Sequence, residues 1–273
     1  MVLLSGTAGS ALASLTAIDQ WISTLNSSIA GSARTGFKNA KVTFGGGTTR
    51  LERPVLNGAL GIQYAEQALN VGSTNIDFSQ GQVVASTEFT HMAISGSQNA
   101  FFLVADNAAL GAGTRYYYTR DGEFHRDVNG NLVNANGLFL VSKNGGTNTA
   151  TTLNGVTPEQ DLSQRIDAHN LNLTGGNYIA TAYVADLTSL RYSKYGSTVL
   201  EVAGNAAPAA ANFIAASGNN LNVRITGSAL EASNVQLPST TVELSLAQKI
   251  YNALTKVIQV DQTKLDGILN LIR

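Results

Sequence analysis

Apolar positions recur at alternating steps of four and three residues at both ends of the chain. The first row runs Leu4, Ala8, Ala11, Leu15, Ile18, Ile22, Leu25 and Ile29. This spacing predicts a helix with a narrow seam for a partner helix, the a/d pattern of a coiled coil. Ser14, Asp19, Gln20 and Ser23 fall off the row, while Trp21 and Leu12 sit beside it, so a second face is expected to be covered as well. Gly36 lies just past the row and is expected to end the helix in a left-handed conformation. The second row runs Ala247, Tyr251, Leu254, Ile258, Asp261, Leu265, Ile268 and Ile272. Its polar member, Asp261, is the kind of residue that sets register at some cost in stability. Thr240 and Glu243 have the spacing of a capping box and follow Pro238, which predicts a helix from near residue 241 almost to Arg273. Isolated helices of this length are marginal in water, so each needs a partner. That partner is either the other end of the same chain or a neighbouring copy.

Between the two rows the pattern changes to short β-branched and aromatic runs. Residues 82–87, 100–104, 116–120, 124–127 and 132–133 read as strands, with further strands at 178–187, 198–202 and 221–226. Asn129-Gly130 between two such runs predicts a tight hairpin. Gly- and Asn-rich links at 144–148, 175–177 and 204–220 separate the later strands. The expected fold class is mixed α and β. The N- and C-terminal helices form a coiled-coil assembly domain, residues 1–38 and 240–273. Residues 39–77 form an extended or β connecting segment, and 78–239 a central, mainly antiparallel β-rich outer domain.

Composition narrows the function. Charged residues are 13% of the 273, about half the ~25% usual in soluble proteins. Seventeen Lys+Arg against eighteen Asp+Glu give a net charge of −1. That excludes a basic face covering the whole chain, so nucleic acid is not an expected partner. No apolar run approaches the length of a membrane span, so membrane insertion is not expected either. Cys is absent, which excludes disulfides, thiolate metal sites and a Cys nucleophile. No Lys or Arg precedes Arg34, a poor match to a cleavable secretory signal; the expectation is either a cytoplasmic chain or export by a route that leaves its cargo uncleaved.

Candidate chemistry is sparse. Asp121, Glu123, His125 and Asp127 alternate, so one strand would place all four on one face, with Phe124 and Val128 opposite. Side chains two apart on a strand spread about 6.6 Å per step, too far for three to converge on one ion, so a solvated face is the preferred reading. Asp127-Val128-Asn129-Gly130-Asn131 departs from a calcium loop, with Gly fourth and Leu138 at the twelfth position. There is no phosphate loop, dinucleotide fingerprint or nucleophile elbow. No catalytic residue, cofactor or metal ligand is therefore assigned, and an enzyme is not expected.

Four blocks of residues resemble the axial proteins of the bacterial flagellum, of the rod and hook class. The first is Ser27-Ser28-Ile29-Ala30-Gly31 leading to Thr35-Gly36-Phe37-Lys38, where the family typically reads Asn-Asn-Ile-Ala-Asn and then Thr-x-Gly-Phe-Lys. The second is Asp77-Phe78-Ser79-Gln80-Gly81, followed by Ala93-Ile94-Ser95-Gly96 and Phe101-Phe102-Leu103-Val104. The third is Tyr118-Thr119-Arg120-Asp121-Gly122-Glu123-Phe124, with Asn129-Gly130-Asn131 and Gly137. The fourth is Leu230-Glu231-Ala232-Ser233-Asn234-Val235, with Lys256-Val257-Ile258-Gln259 in the last helix. The blocks run in family order over nearly the whole chain, and the size is closer to the distal rod protein than to a typical hook protein.

The resemblance implies a self-assembling structural subunit of an extracellular or periplasm-spanning helical tube, exported unfolded through the flagellar type III apparatus. Its implied partners are copies of itself, neighbouring axial proteins and a cap or export chaperone. The residues expected at the assembly interface are Leu15, Ile18, Ile22, Leu25, Ile29, Leu254, Ile258, Leu265 and Ile268. Thr35, Gly36, Phe37 and Lys38 form the motif by which the chain leaves the first helix. Two alternatives stand beside this: a homologous surface fibre or sheath outside the flagellum, and a glycan- or ligand-binding module on a helical stalk.

Overall fold

The computed structural model describes residues 6–47, 50–52, 62–64, 68–110, 114–144, 150–152, 166–167, 170–171, 177–179, 181–202 and 223–272. The described residues form two α-helices, one near each end of the sequence, and many antiparallel strands, so the fold is mixed α and β. The chain divides into two compact units. One gathers residues 1–29, 40–76 and 236–273; the other gathers residues 30–39 and 77–235.

The helical unit contains α1 (Gly6–Gly31) and α2 (Leu237–Ile272). Ile18, Leu25 and Ala247 form its buried cluster, with Trp21, Ile22, Leu69, Leu244, Ile250, Tyr251 and Leu254 packed against it. A ribbon of strands Ala40–Gly46 and Leu69–Ile76, paired antiparallel with a bulge at Thr43/Phe44, belongs to the same unit. Phe44 and Leu69 of this ribbon meet α1. Trp21 meets the Phe44 ring edge-on at 5.4 Å, and the Leu69 N–H donates to Ser14 Oγ at 2.9 Å. The segment expected only to connect the two domains thus covers one side of the first helix.

α2 starts at Leu237, four residues before the expected start. Pro is tolerated in a first turn, where an N–H has no partner to lose. Thr240 lies inside the helix and its Oγ1 donates back to the Gln236 carbonyl at 3.0 Å, so the capping box is not formed. The expectation for Gly36 is corrected in the same way. α1 ends at Gly31, where an added Cβ would stand 2.3 Å from the Phe37 ring, and the Arg34 N–H closes the turn onto the Gly31 carbonyl at 3.0 Å.

The β unit is built on a ten-stranded sheet among the described residues. Its path runs Arg191–Ser193, Gly196–Glu201, Tyr116–Thr119, Ala100–Ala105, Phe139–Asn144, Leu132–Asn134, Phe124–Arg126. The run Ala100-Phe101-Phe102-Leu103-Val104-Ala105 is buried on both faces, which suits a central strand without alternation. Phe102 meets Phe124 edge-on at 5.6 Å and Tyr117 meets Tyr195 at 5.2 Å, the geometry that aromatic quadrupoles favour. The Asn129-Gly130 hairpin forms as expected: strands 124–126 and 132–134 pair, and Gly130 takes φ 85°. The links at 145–148, 175–176 and 204–220 lie outside the described residues.

Candidate assembly site

The four sequence blocks meet at one place in the β unit. Glu231 ends strand Ala229–Glu231 and is fully buried. Its Oε1 accepts from Lys38 Nζ at 2.5 Å and from the Gly81 N–H at 2.9 Å, while Oε2 accepts from Arg120 Nη1 at 3.0 Å. Lys38 Nζ also donates to the Ser79 carbonyl at 2.8 Å. Arg120 donates to the Ile94 and Ser97 carbonyls and lies 5.3 Å from the Phe101 ring centroid. Two cations therefore share one carboxylate out of reach of water. Burial pushes the Lys38 ammonium below its usual range and Arg120 below its own, and the Glu231 carboxylate opposes both shifts. Charges this dry persist only when paired and hydrogen-bonded.

Asn234 makes the second half of the junction. Its Oδ1 accepts from the Asn39 N–H at 2.7 Å, and its Nδ2 donates to the Asp77 carbonyl at 2.7 Å and the Ser79 carbonyl at 3.1 Å. One amide thus staples the segment after α1 to the segment after the ribbon. The Gly36 N–H donates to the Glu231 carbonyl at 2.7 Å. Gly36 itself has φ 64° and lies flat on residues 120 and 121, where an added Cβ would come 2.3 Å from the Asp121 nitrogen. It serves as a point of close backbone approach rather than as a helix cap.

Asp121 leaves the exposed face expected for it. Its Oδ1 accepts from the Thr35 hydroxyl at 2.6 Å and from the Glu123 N–H at 3.1 Å, and the side chain is buried. Burial raises its pKa, with the Thr35 bond pulling the other way. Strand pairing begins only at Phe124, so the alternation from 121 never forms. Glu123 and His125 are exposed, and Asp127 caps its own turn through the Asn129 and Asn131 N–H groups. Val128 is fully exposed at 101%, not opposite the acidic face with Phe124. Among the described residues no group of three His, Cys, Asp or Glu side chains is placed to hold a metal. No described helix is long and apolar enough to cross a membrane.

The residues expected at an assembly interface are only partly brought together. Ile18, Ile22, Leu25 and Leu254 share the buried cluster of the helical unit. Leu15 and Ile29 are half-buried on α1, Ile258 and Leu265 are half-buried beyond the cluster on α2, and Ile268 is 53% exposed. Val242, Leu246, Ala253, Val257, Val260 and Leu271 add a second row along α2, all exposed. At 100° per residue they fall along one line of the helix. Their spacing was present in the sequence but lay beside the row chosen there.

Residues 93–172 match the family described as flagellar hook protein FlgE/F/G D1 domain. Flagellar basal-body rod protein FlgG of Borreliella burgdorferi is 26% identical over 208 residues, covering 74% of this chain and 72% of the relative. FlgG of Buchnera aphidicola is 29% identical over 196 residues, covering 68% and 66%. Flagellar hook protein FlgE of Escherichia coli is 26% identical over 247 residues, 86% of this chain but 56% of the hook protein. The chain is thus similar to flagellar rod and hook proteins. These relatives are named as flagellar basal-body rod and hook proteins. The family segment contains Arg120 and Asp121, two of the residues that hold the junction.

Proposed function

We propose that this chain is a self-assembling subunit of a flagellar rod- or hook-like helical tube, polymerised through its terminal helices and with no catalytic role. The exposed apolar row on α2 supports this most directly. A 36-residue helix spans about 54 Å, yet the α2 residues of the buried cluster end at Leu254. Val257, Val260, Ile268 and Leu271 beyond it are each at least 49% exposed. A row of that length calls for a partner, and coiled-coil packing with neighbouring copies supplies one. A contact repeated without closing on itself yields an open filament. The β unit then forms the wall of the tube. The absence of cysteine and the low charge suit a chain exported unfolded, placed outside the cytoplasm and met there by other axial proteins and a cap or chaperone.

The experiment is concentration-dependent assembly of the purified chain, followed by sedimentation and negative-stain microscopy. Ile258→Asp changes a half-buried residue outside the buried cluster. It should abolish filaments while the unfolding midpoint of the β unit stays put. Filaments formed by Ile258→Asp as readily as by the parent chain would remove the helices from the mechanism.

A further inference from the structure

α1 carries an exposed face beside the seam, bounded by Leu15 of the seam itself. Leu12 and Leu15 stand one turn apart, with Asp19 another turn along; Leu12 and Asp19 are exposed and Leu15 is half-buried. Asp19 is the sole ionisable side chain between Gly6 and Gly31. The exposed row of α2 carries the opposite sign: Lys249 follows Leu246, Lys256 follows Ala253 and Lys264 follows Val260, each one turn on. Among the described residues, none of Asp19, Lys249, Lys256 and Lys264 takes part in an ion pair. An apolar face with one anion and an apolar row with three cations are complementary surfaces.

We propose that α1 of a second copy lies against the exposed row of α2, with that copy's Asp19 opposite Lys264. The register follows from direction. Gly36 and Phe37, just past α1, bond to Glu231 and Asn234, just before α2, so helices packed together from that common point run antiparallel. Copies stacked by one repeated rotation and translation share an orientation, and α1 of one copy then runs antiparallel to α2 of the next. In that direction, Asp19 opposite Lys264 brings Leu15 opposite Ile268 and Leu12 opposite Leu271, two side chains 53% and 87% exposed in the single chain. Asp19 opposite Lys249 would instead set Leu12 against Lys256, and Asp19 opposite Lys256 would set Leu12 against Thr263. The Lys264 register covers the end of α2 that the chain's own helix leaves bare. The charge pair fixes register, and the leucine and isoleucine contacts hold the helices together.

This rests on the assembly reading above, and charge reversal separates the two. Asp19→Lys and Lys264→Glu, each alone, should raise the concentration needed for assembly about tenfold. The double variant should return it to the parent value. Both sites are exposed, so far-ultraviolet circular dichroism of the monomers should be unchanged. Assembly of Asp19→Lys at the parent concentration would overturn the contact. Rescue by Lys249→Glu or Lys256→Glu in place of Lys264→Glu would overturn the register. A parent chain that forms no filament at any concentration would instead defeat the assembly reading itself.

Discussion

Replacing Glu231 with Gln tests whether the junction holds the β unit together. The change keeps the shape of the side chain and removes its charge. Lys38 Nζ at 2.5 Å and Arg120 Nη1 at 3.0 Å are then two buried cations without a counter-charge, and a Gln amide nitrogen cannot accept from either. Breaking a buried ion pair by removing one partner costs about 3–5 kcal/mol, because the charge left behind stays desolvated. Taking about 4 kcal/mol, and about 2–4 °C per kcal/mol for a unit of this size, the thermal midpoint should fall by roughly 8–16 °C. Lys38→Met is the matched comparison. It fills the stem volume and leaves Glu231 with Arg120 and the Gly81 N–H, so it should cost clearly less. Differential scanning calorimetry reads both variants. A Glu231→Gln midpoint within about 3 °C of the parent, or Lys38→Met costing more than Glu231→Gln, would refute the reasoning.

Three further predictions follow from the same geometry. Gly36→Ala places a Cβ 2.3 Å from the Asp121 nitrogen at a φ of 64°, so it should destabilise the β unit by more than about 2 kcal/mol in urea unfolding. Asp121 has a pKa raised by burial, so its favourable contribution is complete below the ordinary 3.8 and is lost as pH climbs through the folded-state value. Asp121→Asn keeps the oxygen that accepts from Thr35, and its stability relative to the parent should therefore improve as pH rises above 3.8; a gap independent of pH between 3.8 and 7 would contradict this. Val128→Ser at the fully exposed hairpin tip should leave stability within about 0.5 kcal/mol in the same unfolding assay.

What could be read from the sequence was the local part. The periodic rows placed both helices, and Asn129-Gly130 placed the hairpin, because those signals lie within a few residues of the structure they specify. The misreadings share one cause. Gly36 looked like a cap because Gly commonly follows a helix, but what leaves no room for a Cβ there is the backbone of residues 120 and 121, which lie far along the chain. Asp121 looked solvated because it alternated with other polar residues, yet Thr35 draws it inward. Arg120 and Glu231 stood inside quoted motifs without a role, since nothing local announces that Lys38 and Glu231 meet across 193 residues. The Trp21–Phe44 contact that ties the ribbon to α1 is equally non-local. The second row on α2 was legible by spacing alone, but its exposure required the folded chain.

The most direct test of the account is immunogold electron microscopy of cells and of structures sheared or extracted from them, using antibody to the β unit. Label on a short tube at the flagellar base or hook is the predicted result. Label confined to the cytoplasm, or along a surface fibre separate from any flagellum, would contradict a flagellar axial role.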